Sequence, residues 1–158
     1  MLTVKQIRDL AARYHGDQRD FDGSLHMDHV DQVAAAFDGW DDHATALLHD
    51  VLEDCKHADG TRVTGDDLVK DGVPVHVVKS VENLTRRSWD GETYDDYITR
   101  VLEAVANGDE ICGRVKRRDV FVNWQRSKGQ SIEKRYQRAA DRLGLDLEAE
   151  LASFNAAA

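Results

Sequence analysis

Residues 46–54 read A-L-L-H-D-V-L-E-D. Ala44, Leu47, Leu48, Val51 and Leu52 recur at i, i+3, i+4, i+7 and i+8, the continuous apolar stripe of a helix expected over about 41–54. At about 100° per residue, His49, Asp50 and Glu53 fall on the opposite arc, with Asp54 at its edge. His49 and Glu53 are i, i+4 neighbours, as are Asp50 and Asp54. Four ionisable groups within six positions must be satisfied by something. Water does so if this is the acidic face of an amphipathic helix; a divalent metal does so if the face turns inward. The stretch alone leaves both readings open.

The flanking sequence points to an all-α chain. There is one proline, and strand-type alternation is scarce. Helices are expected over about 4–15, 26–37, 65–71, 75–83, 94–106, 110–125, 131–143 and 146–154. Thr3 with Gln6 and Thr93 with Asp96 have capping-box spacing, and Thr64 with Asp67 offers a third such start. Pro74 suits a first helical turn. Asp22-Gly23 and Asn107-Gly108 carry turn chemistry, and Gly144 separates the last two helices. No internal repeat or low-complexity linker divides the 158 residues. A single domain is expected, with its core at about 4–143 and a C-terminal helix and tail at 146–158.

Composition narrows the partners. The net charge of −9 argues against non-specific nucleic-acid binding. A small anionic substrate stays compatible, because a local basic pocket or a metal inverts the local field. No apolar run approaches the roughly 20 residues of a membrane span, and the N-terminal stretch lacks the apolar core of a signal peptide. Cys55 and Cys112 share no C-x-x-C spacing; they read as small apolar packing groups in a reducing, cytoplasmic setting. Homo-oligomerisation is left open.

A first-row divalent ion draws its ligands from several elements. His29 lies at the edge of the Val30/Val33/Ala34 stripe; the plainer reading is a partly buried histidine bonded to a carbonyl. His26 is its rival and lies closer to the stripe centre. Asp119 falls beside the stripe of Ile111, Val115 and Val122, with Asn123 one turn further on. A partly buried carboxylate needs a partner, and Arg114 or Arg118 is the plainer one. Together His29, His49, Asp50 and Asp119 make a first shell for Mn²⁺ or a similar ion. Such an ion lowers the pKa of its water towards neutrality, and Glu53 and Asp54 are placed to orient that water or shuttle its proton.

These segments, in order, resemble those of the HD-superfamily metal-dependent phosphohydrolases. Within that superfamily the chain is most similar to the hydrolase domain of the RelA/SpoT proteins and the small stand-alone SpoT homologues. The similarity runs through A-R-Y-H-G-D-Q-R-D-F-D-G-S-L-H-M-D-H-V-D-Q-V-A (residues 12–34), A-L-L-H-D-V-L-E-D, V-K-S-V-E-N-L-T-R (78–86), G-E-T-Y-D-D-Y-I (91–98) and V-K-R-R-D-V-F-V-N (115–123). The resemblance implies an HD-type helical bundle of about seven to nine helices. It implies metal ligation by His29, His49, Asp50 and Asp119, and water activation by Glu53 and Asp54. Asn123 would lie near a bound nucleotide, and Arg19 near its phosphates. Lys116, Arg117 and Arg19 are then candidates to neutralise phosphate charge, although Arg117 also reads as ordinary solvated surface. The implied activity is removal of the 3′-pyrophosphate of (p)ppGpp. Another nucleotide phosphohydrolase, such as a 5′-nucleotidase, and a non-catalytic nucleotide- or protein-binding domain are the alternatives. The chain departs from the family pattern at His26, where a tyrosine is usual, at Val30 in place of a proline, and at Arg117-Arg118 in place of Leu-Ala.

Overall fold

The computed structural model describes residues 1–158. The chain forms ten α-helices and no β-sheet, in accord with the all-α expectation. They are α1 (Val4–His15), α2 (His26–Ala34), α3 (Trp40–Leu48), α4 (Val51–Asp54), α5 (Gly65–Lys70), α6 (Val75–Leu84), α7 (Tyr94–Ala106), α8 (Glu110–Ser127), α9 (Glu133–Arg142) and α10 (Leu147–Ala157). A single 3₁₀ turn, Ser88–Asp90, precedes α7. No helix is long and apolar enough to cross a membrane.

The capping boxes expected at Thr3, Thr64 and Thr93 all form. Each satisfies backbone donors that a helix start leaves without partners. Helix α2 ends three residues earlier than its sequence pattern suggested, at Ala34.

The larger departure is at the H-D pair. The helix expected over 41–54 is divided there, and this division carries the helix count past nine. The His49 Nδ1 donates to the Ala46 carbonyl at 2.7 Å, so a side chain takes an acceptor from the helical ladder. Asp50 then sits at φ −99°, ψ −6°, the bridge region in which active-site residues are often found.

Helix α8 runs through the centre and packs on α2, α3, α6, α7 and α9. Its buried residues, among them Cys112, Val115, Val120, Phe121, Val122 and Trp124, lie all around the axis, as expected of a helix surrounded by others. Helix α7 approaches α8 closely at Gly113, where a Cβ would lie 2.7 Å from the Val105 Cγ2. Cys55 and Cys112 are buried free thiols in the core, consistent with packing. Helix α10 buries no residue fully and is attached through the partly buried Leu147 and Leu151.

Candidate active site

Four segments meet over one cleft of about 260 Å³. Helix α2 presents His26 and His29, three residues apart and so on one face. The α3–α4 junction presents His49 and Asp50, and α4 adds Glu53 and Asp54. Helix α8 presents Lys116, Asp119 and Asn123 at i, i+3 and i+7. The loop before α2 adds Asp20, placed by a turn in which the Gly23 N–H donates to the Asp20 carbonyl at 2.9 Å. Gly23 has φ +83° there, a conformation other residues adopt only with strain.

The four expected ligands converge. The His29 Nε2 lies 3.1 Å from the Asp119 Oδ1 and 3.7 Å from the Asp50 Oδ2. The His49 Nε2 lies 3.1 Å from the Asp50 Oδ2 and 3.5 Å from the Asp119 Oδ1. Ligand atoms about 2.1 Å from a shared ion stand about 3.0–3.4 Å apart, so this spacing suits a common cation. The fit has a second support. The His49 Nε2, which faces Asp50 and Asp119, is buried without a hydrogen-bond partner, which is costly unless something else satisfies it. Because the His49 Nδ1 is committed to the Ala46 carbonyl, its Nε2 lone pair faces Asp50 and Asp119.

Asp119 is itself held in place. The Lys116 Nζ donates to its Oδ2 at 2.7 Å and the Asn123 Nδ2 to its Oδ1 at 2.7 Å. Its partner is therefore a lysine, and neither of the arginines considered from sequence. Arg114 pairs instead with Asp42, and Arg118 stacks on the Phe121 ring. Burial works against the Asp119 charge, but Lys116 and the two histidines hold its carboxyl well below the usual range. Lys116, itself buried, lies 4.6 Å over the Tyr97 ring.

The remaining carboxyls behave differently. Burial and the nearby Asp50 charge push Glu53 upward. Burial, with Asp50 and Glu53 close by, pushes Asp54 up to about 7. Glu53 accepts from the Arg86 backbone N–H at 3.0 Å. Above them the cleft walls carry Arg86, Arg126, Arg135, Tyr94 and Tyr136. An acidic floor under basic walls suits a cation below and an anionic group above.

Some residues singled out from sequence stand elsewhere. Arg19 is exposed and donates to the Gly23 carbonyl at 2.9 Å, outside the lining of the cleft. Arg117 donates to the Leu143 carbonyl at 2.9 Å, tying α8 to the end of α9. The arginine that meets the loop carboxylate is Arg126, whose Nη2 lies 2.6 Å from the Asp20 Oδ2. It is seven residues beyond Asp119 on α8, so helix-face arithmetic identifies it. Nothing in the local pattern marks Asp20, which depends on how the loop closes.

No protein-family model and no curated protein matches the chain. A solved structure does. It is that of a metazoan ortholog of SpoT, described as hydrolysing ppGpp and playing a role in starvation responses. The two superpose with a TM-score of 0.71 over 95% of this chain and 92% of that one, at 20% sequence identity. The two chains share one fold. The likeness spans the whole bundle, so the helices that carry His29, His49, Asp50 and Asp119 belong to the shared architecture.

Proposed function

We propose that this chain is a divalent-metal-dependent phosphohydrolase acting on a nucleotide, with removal of the 3′-pyrophosphate of (p)ppGpp as the favoured reaction. The observation that carries the reading is the convergence of His29, His49, Asp50 and Asp119 on one buried point beneath a basic cleft. The ppGpp hydrolysis described for the structural neighbour supports the choice of substrate.

The four ligands would hold the ion, and Mn²⁺ suits their mixed imidazole and carboxylate character. When bound, a divalent ion polarises phosphate oxygens and makes water acidic enough to attack near neutral pH. The protein supplies the rest. Lys116 fixes the Asp119 carboxylate through Oδ2, and Asn123 through the Oδ1 that faces the histidines. Glu53 and Asp54 face the cleft with carboxyl groups whose raised pKa values suit them to accept a proton from attacking water. Arg126 and Arg135 neutralise charge on the phosphate being displaced.

The reading is tested by a product survey. Metal-loaded protein is incubated separately with ppGpp, nucleoside triphosphates and nucleoside monophosphates, and the released phosphates are identified. Pyrophosphate from ppGpp is expected. Orthophosphate from a monophosphate alone would indicate a nucleotidase, and no release from any of them would indicate a binding domain.

A further inference from the structure

His26 is six parts in a hundred exposed and stands beside the four-ligand cluster without belonging to it. Its Nδ1 lies 2.7 Å from the Asp20 Oδ1, and Asp20 is in turn fixed by Arg126 at 2.6 Å. A histidine whose Nδ1–H donates to a carboxylate has its Nε2 lone pair aimed the other way, the arrangement that orients metal-binding imidazoles. Here the Nε2 points at the Asp50 Oδ2 at 3.0 Å and the Asp54 Oδ2 at 3.7 Å. These three ligand atoms all lie within 4.8 Å of one another.

We propose that His26, Asp50 and Asp54 form a second divalent-cation site, with Asp50 shared between it and the site of His29, His49 and Asp119. The proposal rests on the metal-dependent reading above and deepens it.

Charge and satisfaction argue for two ions. Five carboxylates line the cleft, and only Asp119 and Asp20 are paired with a permanent cation, Lys116 and Arg126 respectively. Asp50 and Asp54 face histidines alone. Asp54 accepts no hydrogen bond from any protein donor, although its side chain is only about a third exposed. The Asp50 Oδ2 lies 3.0 Å from the His26 Nε2, 3.1 Å from the His49 Nε2 and 3.7 Å from the His29 Nε2, so one oxygen is common to both ligand groups, as a bridging ligand must be. With Asp54 on the second ion, Glu53 is left as the proton acceptor. Paired ions of this kind clamp both the attacking and the departing oxygen of a displaced phosphoryl group.

The test is metal stoichiometry, read independently of turnover. Protein stripped with chelator is loaded with MnCl₂, desalted, and assayed for manganese per chain by mass spectrometry. Electron paramagnetic resonance then reports whether the ions are magnetically coupled through a shared ligand. The wild type should hold two ions per chain with a coupled spectrum. His26→Gln and Asp54→Asn should each hold one, with an uncoupled spectrum. Circular dichroism establishes that the variants keep their helices. If His26→Gln does not fold, Asp54→Asn decides, since it keeps the shape of a partly exposed side chain. One ion in the wild type, or two retained in both variants, overturns the second site and leaves the four-ligand reading standing. No ion in the wild type overturns both.

Discussion

Lys116 and Asp119 form a buried ion pair one helical turn apart on α8, with Nζ 2.7 Å from Oδ2 and both side chains only 6% exposed. The opposite oxygen of the same carboxylate faces His29 and His49. One carboxylate therefore joins the core of the bundle to the candidate metal centre. Removing one partner of a buried pair costs about 3–5 kcal/mol, because the other charge is left uncompensated. Lys116→Met should lose about that much in urea unfolding of chelator-treated protein. Added Mn²⁺ should restore part of the loss, since the ion supplies a positive charge to the same carboxylate. An equal loss with and without metal would separate the pair from the site.

The cleft walls make a separate prediction. Arg135 is half-buried, lies 5.1 Å over the Tyr94 ring, and has no carboxylate within ion-pair distance. It is the wall cation most free to meet a phosphate. Arg135→Gln should raise KM for an anionic substrate by about tenfold, equivalent to about 1.4 kcal/mol, with a smaller change in kcat. Steady-state kinetics at fixed ionic strength checks this. An unchanged KM would remove Arg135 from substrate binding.

The close approach of α7 and α8 gives a test that does not involve the site. Gly113→Ala introduces a Cβ 2.7 Å from the Val105 Cγ2. Overpacking of this kind typically costs about 1–3 kcal/mol. Chemical denaturation should show that loss, while metal stoichiometry stays that of the wild type. The double variant with Val105→Ala should recover part of the stability.

A pH effect follows from Glu92. Its carboxylate accepts two hydrogen bonds from Arg100, at 2.8 and 3.1 Å, and these hold its pKa below the ordinary 4.5. A depressed folded-state pKa contributes stability that is present above 4.5 and is lost as pH falls through the lower folded value. Arg100 also donates to the Asn83 and Thr85 carbonyls, so the pair fastens the end of α6 to the start of α7. Unfolding followed between pH 7 and pH 3 should therefore show a smaller acid-side decline for Glu92→Gln than for the wild type. Identical declines would contradict the assignment.

The sequence made much of this legible, for reasons that particular residues show. The capping boxes at Thr3, Thr64 and Thr93 are local, so three-residue spacing identifies them. His49 and Asp50 stand out because ionisable groups crowd the helix arc opposite a continuous apolar stripe. The break between α3 and α4 is not legible in that stripe, since it depends on the His49 ring taking the Ala46 carbonyl. Asp119 is recognisable as a carboxylate beside a core stripe, yet its partner is Lys116, a residue that composition alone would place in water. The roles of His26 and Asp20 are set by tertiary closure of the loop before α2, which periodicity does not encode. Arg19 and Arg126 show the same limit from opposite sides. The loop arginine turns away to the Gly23 carbonyl, and a helix arginine more than a hundred residues later pairs with Asp20.

A catalytic divalent ion held by His29, His49, Asp50 and Asp119 ties metal content to turnover. The most direct measurement is manganese content together with pyrophosphate release from ppGpp, in the wild type and in Asp119→Ala, with helicity followed in parallel. Bound metal and pyrophosphate release are expected in the wild type, and loss of both in a variant that stays helical. Full pyrophosphate release by Asp119→Ala would contradict the four-ligand assignment.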